Sequence, residues 1–294
     1  MNDFADSDPS AREARRQRGV QKLLAHASFE MTPTPDVVEI ISAILPTDTI
    51  VHIMCPPERG SDFSVGVAIQ LVERGYTDVV PHISSRTVKS KAHLRELIQR
   101  LRDSGIRRGF FPGGDGAVPS GDYSSAVELL DDLAEMDHGL ETIGVACYPQ
   151  GHRTIPDHIL VHALLRKQKI ATHMINEICL EPQQIVTWLA TMRDRGVTLP
   201  LWLGVPGAMR LSQLVRQIQE WGIKAAINYL RKPGANLGAM ASGRFSPKAV
   251  IRGIADHAAD STAGIERAHF FTFNEVELTA AWRKEELRAA VHRG

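Results

Sequence analysis

Apolar residues along this chain fall into two alternating kinds of segment. Short runs rich in Val, Ile, Leu and Phe stand at 27–30, 49–54, 78–83, 108–111, 142–148, 173–178, 201–204 and 269–273. Their length and β-branched content predict buried strands. Between them lie amphipathic stretches at 35–45, 64–74, 91–104, 123–136, 157–169, 183–195 and 208–221, with a last one at 274–290. The stretch 91–104 carries the helical period plainly, with Leu94, Leu97, Ile98 and Leu101 at i, i+3, i+4 and i+7. Gly75 and Gly105 stand just past two of these stretches, where a left-handed C-cap is expected. Eight strands alternating with helices predict a closed parallel α/β barrel, a (β/α)8 TIM-type fold in a single domain.

Residues 1–18 are charged and poor in apolar period, which predicts a flexible or short helical leader. The catalytic barrel is then assigned to 19–294. Segment 222–257 adds helical material between the seventh and eighth strands, with a flexible connection at Gly234-Ala235-Asn236-Leu237-Gly238. The length of 294 residues suits one such barrel, which needs roughly 250.

Lys plus Arg and Asp plus Glu number 34 each, so no net field favours nucleic acid or an acidic membrane. No run approaches the roughly 18 apolar residues of a membrane span, and the polar N-terminus has no signal-peptide core. A cytoplasmic protein is expected. Cys55, Cys147 and Cys179 are widely spaced inside or at the ends of apolar segments, which suggests buried thiols rather than disulfides or a zinc site.

A parallel barrel gathers the C-terminal tips of its strands on one face, where active sites of this architecture lie. The tips here carry Glu30, His82, Gly113-Gly114-Asp115-Gly116, Tyr148-Pro149-Gln150-Gly151-His152 and Asn176-Glu177. At such a mouth, desolvation would favour the acid form of Glu30 and suit it to general-acid work. The plain alternative is a solvated loop glutamate. His82 reads equally as a ligand contact or as a histidine bonded under a loop. The Gly113-Gly114 pair lets a flat ring or phosphate approach the backbone, but it is also an ordinary turn and not a G-x-G-x-x-G fingerprint. Taken singly, His152 reads as loop surface, and Arg166-Lys167 as a complement to a helix dipole. Glu30, His82, Asp115 and His152 have metal-ligating side chains, yet no H-x-H, H-E-x-x-H or paired Cys supports a metal, and none is expected.

Read in order, Ser28-Phe29-Glu30, Pro81-His82-Ile83, Gly114-Asp115, Ala146-Cys147-Tyr148-Pro149-Gln150-Gly151-His152, Leu164-Leu165-Arg166-Lys167, Gly204-Val205-Pro206 and His269-Phe270-Phe271-Thr272-Phe273-Asn274 resemble the catalytic domain of methylenetetrahydrofolate reductase. The resemblance covers about residues 20–290. It implies a barrel that reduces 5,10-methylenetetrahydrofolate to 5-methyltetrahydrofolate with NADH or NADPH, usually through bound FAD. Glu30 matches the family's general acid, assisting protonation at N10. Asp115 matches the aspartate whose charge stabilises the iminium. His82, Gly114, Asp115, Tyr123, Ala146, Tyr148, His152, Arg166 and Lys167 align with flavin-binding positions, and Glu177 stands where it can accept two hydrogen bonds from a pterin.

The departures cluster around the flavin. Gly113 replaces an arginine, Met54-Cys55-Pro56-Pro57 replaces a Thr-Tyr-Gly stretch, and Asn176-Glu177-Ile178-Cys179-Leu180-Glu181 replaces a Gln-and-aromatic run. An Ala-Gly-Ala turn is shortened near Ile170-Ala171, and Leu160 lies near the place of an acidic residue. A divergent reductase with folate chemistry kept and the FAD site weakened is the expected function. A folate-dependent one-carbon (methyl) transfer barrel and a non-catalytic folate-binding barrel are the alternatives. A small-molecule folate is the expected partner, and a homo-oligomer is compatible with the sequence.

Overall fold

The structure is a computed structural model that describes residues 8–114, 118–220 and 242–292. Asp115 and the Gly234–Gly238 connection lie outside these described residues. The chain begins with α1 (Pro9–Ala25) and β1 (Ser28–Met31), then runs through α2 (Val37–Ile44), β2 (Val51–Ile53), α3 (Gly60–Glu73), β3 (Val79–Pro81), α4 (Lys91–Asp103) and β4 (Arg108–Phe110). It continues with α5 (Ala126–Ala134), β5 (Thr142–Cys147), α6 (Asp157–Lys167), β6 (His173–Asn176), α7 (Pro182–Asp194) and β7 (Leu201–Pro206). A two-residue strand β8 (Met209–Arg210), α8 (Leu211–Glu220), its partner β9 (Arg244–Phe245), α9 (Lys248–Ala258), β10 (Ile265–Phe271) and α10 (Val276–His292) complete the described residues.

Eight strands lie in the order β3-β2-β1-β10-β7-β6-β5-β4, every pairing between them parallel. A single parallel bridge, His82 to Phe110, joins the two edges. Just beyond it Ile83 N donates to Phe110 O at 2.9 Å and Ser85 N to Pro112 O at 3.0 Å. The fold is thus a nearly closed TIM-type α/β barrel of one sheet.

Local chemistry explains most boundaries. Ser90 caps α4 by accepting from His93 N, and Ser125 with Glu128 forms a reciprocal capping box on α5, each satisfying amides that a helix start leaves bare. Gly75 and Gly105 have φ of 90° and 73°, the left-handed caps expected after their helices. The strand expected at 269–273 begins earlier, at Ile265. Trp202 accommodates the two charges at its start, because its Nε1–H donates to Glu266 at 2.9 Å while the Arg267 guanidinium lies 4.5 Å over its ring. The helix expected from 208 starts at Leu211, since Met209 and Arg210 pair with Phe245 and Arg244 as a ribbon.

Helix α1 runs through the boundary expected at residue 18. Its Val20, Leu23 and Leu24 are buried, each worth about 1.5–3 kcal/mol of apolar transfer. It packs against α9, α10 and β10, so it is part of the barrel's shell. The close approach turns on Gly19, where a Cβ would collide with the Ala255 carbonyl. Gly19→Ala should therefore lower stability by about 1–3 kcal/mol despite alanine's better helix propensity. Urea unfolding measures this, and a midpoint at or above wild type would contradict the packing.

Candidate active site

Parallel strands covered by helices are apolar on both faces as a rule, but this barrel's interior is not. Buried inside it are Ser28 and Glu30 from β1, His52 from β2, His82 just past β3, His173 from β6 and His269 from β10. Register explains the gathering, because Ser28 pairs with His269, Glu30 with His52 and Gly144 with His173. A Cβ on Gly144 would lie 2.6 Å from His173 Nε2 and 2.8 Å from the Phe110 ring, so the absence of a side chain there makes room for the imidazole.

Glu30 is the centre of this group and only 8% exposed. His269 Nε2 lies 3.2 Å from Glu30 Oε2, and Ser28 Oγ lies 2.9 Å from His269 Nδ1. With the serine hydroxyl donating to Nδ1, the ring carries its proton on Nε2 and aims it at the carboxylate. His82 Nε2 lies 3.7 Å from the same oxygen, and His52 Nδ1 lies 3.2 Å from that nitrogen. The backbone under Glu30 is fixed as well, for Thr272 Oγ1 donates to Glu30 O at 2.6 Å. Asn274, left-handed at φ 65° after Phe273 at 46°, accepts from Thr32 N and donates to Thr32 O. Two successive non-glycine residues in that region mark a backbone held by its surroundings.

Burial pushes the Glu30 carboxyl up, but the His269 hydrogen bond outweighs it, helped by the attraction of the His82 and His269 rings whenever these are protonated, and the group lies below its ordinary value. The expectation that desolvation would favour the acid form is corrected here, since the imidazole partners outweigh the loss of water. Burial drives His82 down to about 4, against the pull of Glu30, and His173 down to about 3. His52 lies well below its ordinary value for the same reason, with His269 and His82 adding to it. At neutral pH His52, His82 and His173 are therefore uncharged.

The other expected residues have engagements of their own. Gly114 has φ 95°, and a side chain there would meet Ser84. Its neighbour Gly113 accepts from Ser85 Oγ at 2.8 Å, which ties the end of the fourth strand to the turn after β3. Tyr123 donates its hydroxyl to Asp132 at 2.6 Å, which together with burial raises its pKa. Lys167 is buried and donates to the Ala146 carbonyl at 2.9 Å, and burial lowers it to about 8. Arg166 pairs with Asp131. Tyr148 meets His152 edge-on at 5.1 Å, while His152 Nδ1 accepts from Thr154 N and Ile155 N, each at 3.2 Å. Glu177 N donates to Cys147 O at 3.0 Å, and Asn176 Nδ2 donates to Glu177 O at 2.9 Å, fixing that tip.

A cavity of about 170 Å³ lies between α6 and α7, lined by Tyr148, Leu164, Trp188, Met192 and Arg195 among others. None of its lining residues belongs to the Glu30 group. Sequence reading missed Ser28, His52, His173 and His269 as members of this buried group. The signal for three of them is a polar residue between two apolar ones, Ala27-Ser28-Phe29, Val51-His52-Ile53 and Ala268-His269-Phe270, which alternation sends to the face opposite its neighbours. Among the described residues no group of three or more His, Cys, Asp or Glu is placed to hold a metal, and no helix is long and apolar enough to cross a membrane. Cys55, Cys147 and Cys179 are free thiols.

No family model matches the sequence. Among solved structures the chain is similar to an uncharacterized protein from Clostridium thermocellum that binds two copies of 5-methyl-5,6,7,8-tetrahydrofolic acid. The TM-score is 0.58 at 12% identity, over 92% of this chain and 99% of that one. It also matches a lyase/mutase candidate from Burkholderia cenocepacia, with a TM-score of 0.48 at 12% identity over 96% of this chain and 86% of that one. At such identities the likeness to the Clostridium protein is one of fold, and it agrees with the barrel.

The buried imidazoles also set a pH dependence. In the unfolded chain they titrate near 6.5, whereas in the folded chain His82 and His173 take up protons only near about 4 and about 3. Between those values the unfolded state binds more protons, so stability is full above about 6.5 and is lost as pH falls toward 4. Thermal melts from pH 7 to 4.5 should show this decline. His173→Phe, which keeps a ring on Trp202, should flatten it, and an unchanged slope would clear His173 of the effect.

Proposed function

We propose that this barrel reduces 5,10-methylenetetrahydrofolate to 5-methyltetrahydrofolate with NADH or NADPH, using Glu30 as the general acid. The observation that carries the reading is the enclosed carboxylate at the tip of β1, one oxygen bonded by His269 and approached by His82. Opening of the five-membered ring needs a proton at N10 and leaves a cationic iminium at the carbon that takes the hydride. A carboxyl held below its ordinary value donates strongly once it carries a proton. After donation its negative charge stays near the iminium. Asp115 supplies a second such charge in this reading, and Glu177 accepts from the pterin. The folate ligand in the Clostridium neighbour's structure supports a folate as the class of substrate.

The groups assigned to FAD by family resemblance do not fit a flavin dinucleotide here. Lys167 is turned into the wall onto the Ala146 carbonyl, Arg166 is paired with Asp131, and Tyr123 is tied to Asp132. A buried lysine bonded to a carbonyl and an arginine paired with a carboxylate are not offered to a pyrophosphate. We therefore infer hydride transfer straight from the nicotinamide to the iminium carbon. The balance is one hydride from the nicotinamide to carbon and one proton through Glu30 to N10.

The same neighbour favours a second reading, in which the barrel binds 5-methyltetrahydrofolate for methyl transfer or without turnover. Folate-dependent oxidation of NADH, followed by absorbance with product analysis, separates the two. The reductase reading expects turnover that added FAD does not raise, and a stoichiometric FAD requirement would overturn direct transfer. Glu30→Gln should lower the rate by about 10²-fold or more while folate binding survives, and full activity in that variant would remove Glu30 as the acid.

A further inference from the structure

His52 is fully buried, so no ligand at the mouth touches it. Yet its Nδ1 lies 3.2 Å from His82 Nε2, the atom that in turn lies 3.7 Å from Glu30 Oε2. The gap between the two rings holds one proton, because two N–H groups or two lone pairs facing each other repel. Which ring supplies it follows from the far side of His52, where Nε2 is buried with no partner among the described residues. A buried N–H without an acceptor is the rarer kind of orphan in folded interiors, so Nε2 is the bare lone pair and Nδ1 carries the hydrogen. His52 then donates to His82.

This assignment has a consequence for Glu30. While His52 donates, His82 Nε2 is an occupied acceptor and cannot take a proton on the side that faces the carboxylate. Without that bond, His82 is free to become the imidazolium that would hold Glu30 ionised. His269 from β10 and Glu30 from β1 are the other titratable groups facing His82, and the Phe110 ring from β4 packs against it at 4.6 Å. Around His52 stand Phe110, Trp202 and His269, with the Arg108 guanidinium, and His173 when protonated, adding positive charge.

We propose that His52 is a positioning residue for the acid, its Nδ1–H occupying His82 Nε2 so that the proton the reaction needs goes to Glu30 rather than to His82. The idea deepens the reductase reading and rests on Glu30 being its acid. No substrate contact is involved, so binding of folate and nicotinamide is untouched by it.

Two measurements on the full chain test this. In steady-state turnover of NADH and methylenetetrahydrofolate, kcat falls at high pH as Glu30 loses its proton. His52→Phe should move that alkaline limb to lower pH by about one unit, the scale of one nearby charge, with the low-pH plateau and the folate KM unchanged. His52→Asn, whose amide N–H replaces the Nδ1–H, should return the limb to its wild-type place. A Phe variant with the wild-type limb, or an Asn variant displaced as far as the Phe variant, overturns the proposal. The second measurement needs no activity. Nitrogen-15 NMR of histidine-labelled wild type should find the His52 proton on Nδ1 and a bare Nε2 on His82, and a proton on His52 Nε2 overturns the proposal. A wild type without folate-dependent NADH oxidation would sink the reductase reading alone, leaving the His52 assignment to the spectrum.

Discussion

A carboxylate shut away from water must find compensation from its neighbours, and the interior of this barrel is arranged around that demand. Glu30 has lost nearly all of its solvent, and an isolated buried charge costs several kcal/mol. The compensation is a chain of bonds from Ser28 through His269 to the carboxylate, with His82 on its other flank. Each member occupies a strand whose inward positions would ordinarily be aliphatic. Gly144 gives up its side chain to the His173 ring, and Trp202 stacks on that ring at 3.8 Å. The polar lumen is therefore one packed unit, and its chemistry cannot be separated from the barrel's stability.

Much of the architecture was legible in the chain. Eight apolar runs became eight parallel strands because short runs rich in β-branched residues favour buried strands, and glycine at the ends of α3 and α4 took the left-handed turn expected of it. Boundaries slipped where charge interrupted a pattern. Arg267 and Glu266 hid the start of β10 because no sequence rule reveals that one tryptophan accommodates both. Helix α1 looked like a leader because its charged outer face masks Val20, Leu23 and Leu24, which are buried only once α9 and α10 are in place.

The site was legible at its rim and not in its depth. Glu30 and His82 follow apolar runs directly, so the rule of strand tips finds them. His52 stands inside its run and His173 opens one, where a single histidine reads as a satisfied core residue, and only closure of the barrel turns four separate histidines into one group. The electrostatics of Glu30 were not legible either. Burial is readable from apolar neighbours in sequence, but the opposing hydrogen bond comes from His269, 239 residues away. Lys167 is the mirror case, a cation that looks available at a helix end and is in fact folded inward onto Ala146.

The barrel is zipped between its third and fourth strands by one bridge, and the residue in that bridge is His82. Elsewhere around the sheet each junction has at least two paired positions. Beyond the His82 bridge Ile83, Ser85 and Arg86 donate their amides to Phe110 O, Pro112 O and Gly113 O, so the seam is closed by the strand tips and the loops after them rather than by a strand ladder. The residue whose backbone closes the cylinder is thus the one whose ring flanks the carboxylate. Closure of the barrel and the placing of that imidazole depend on a single position.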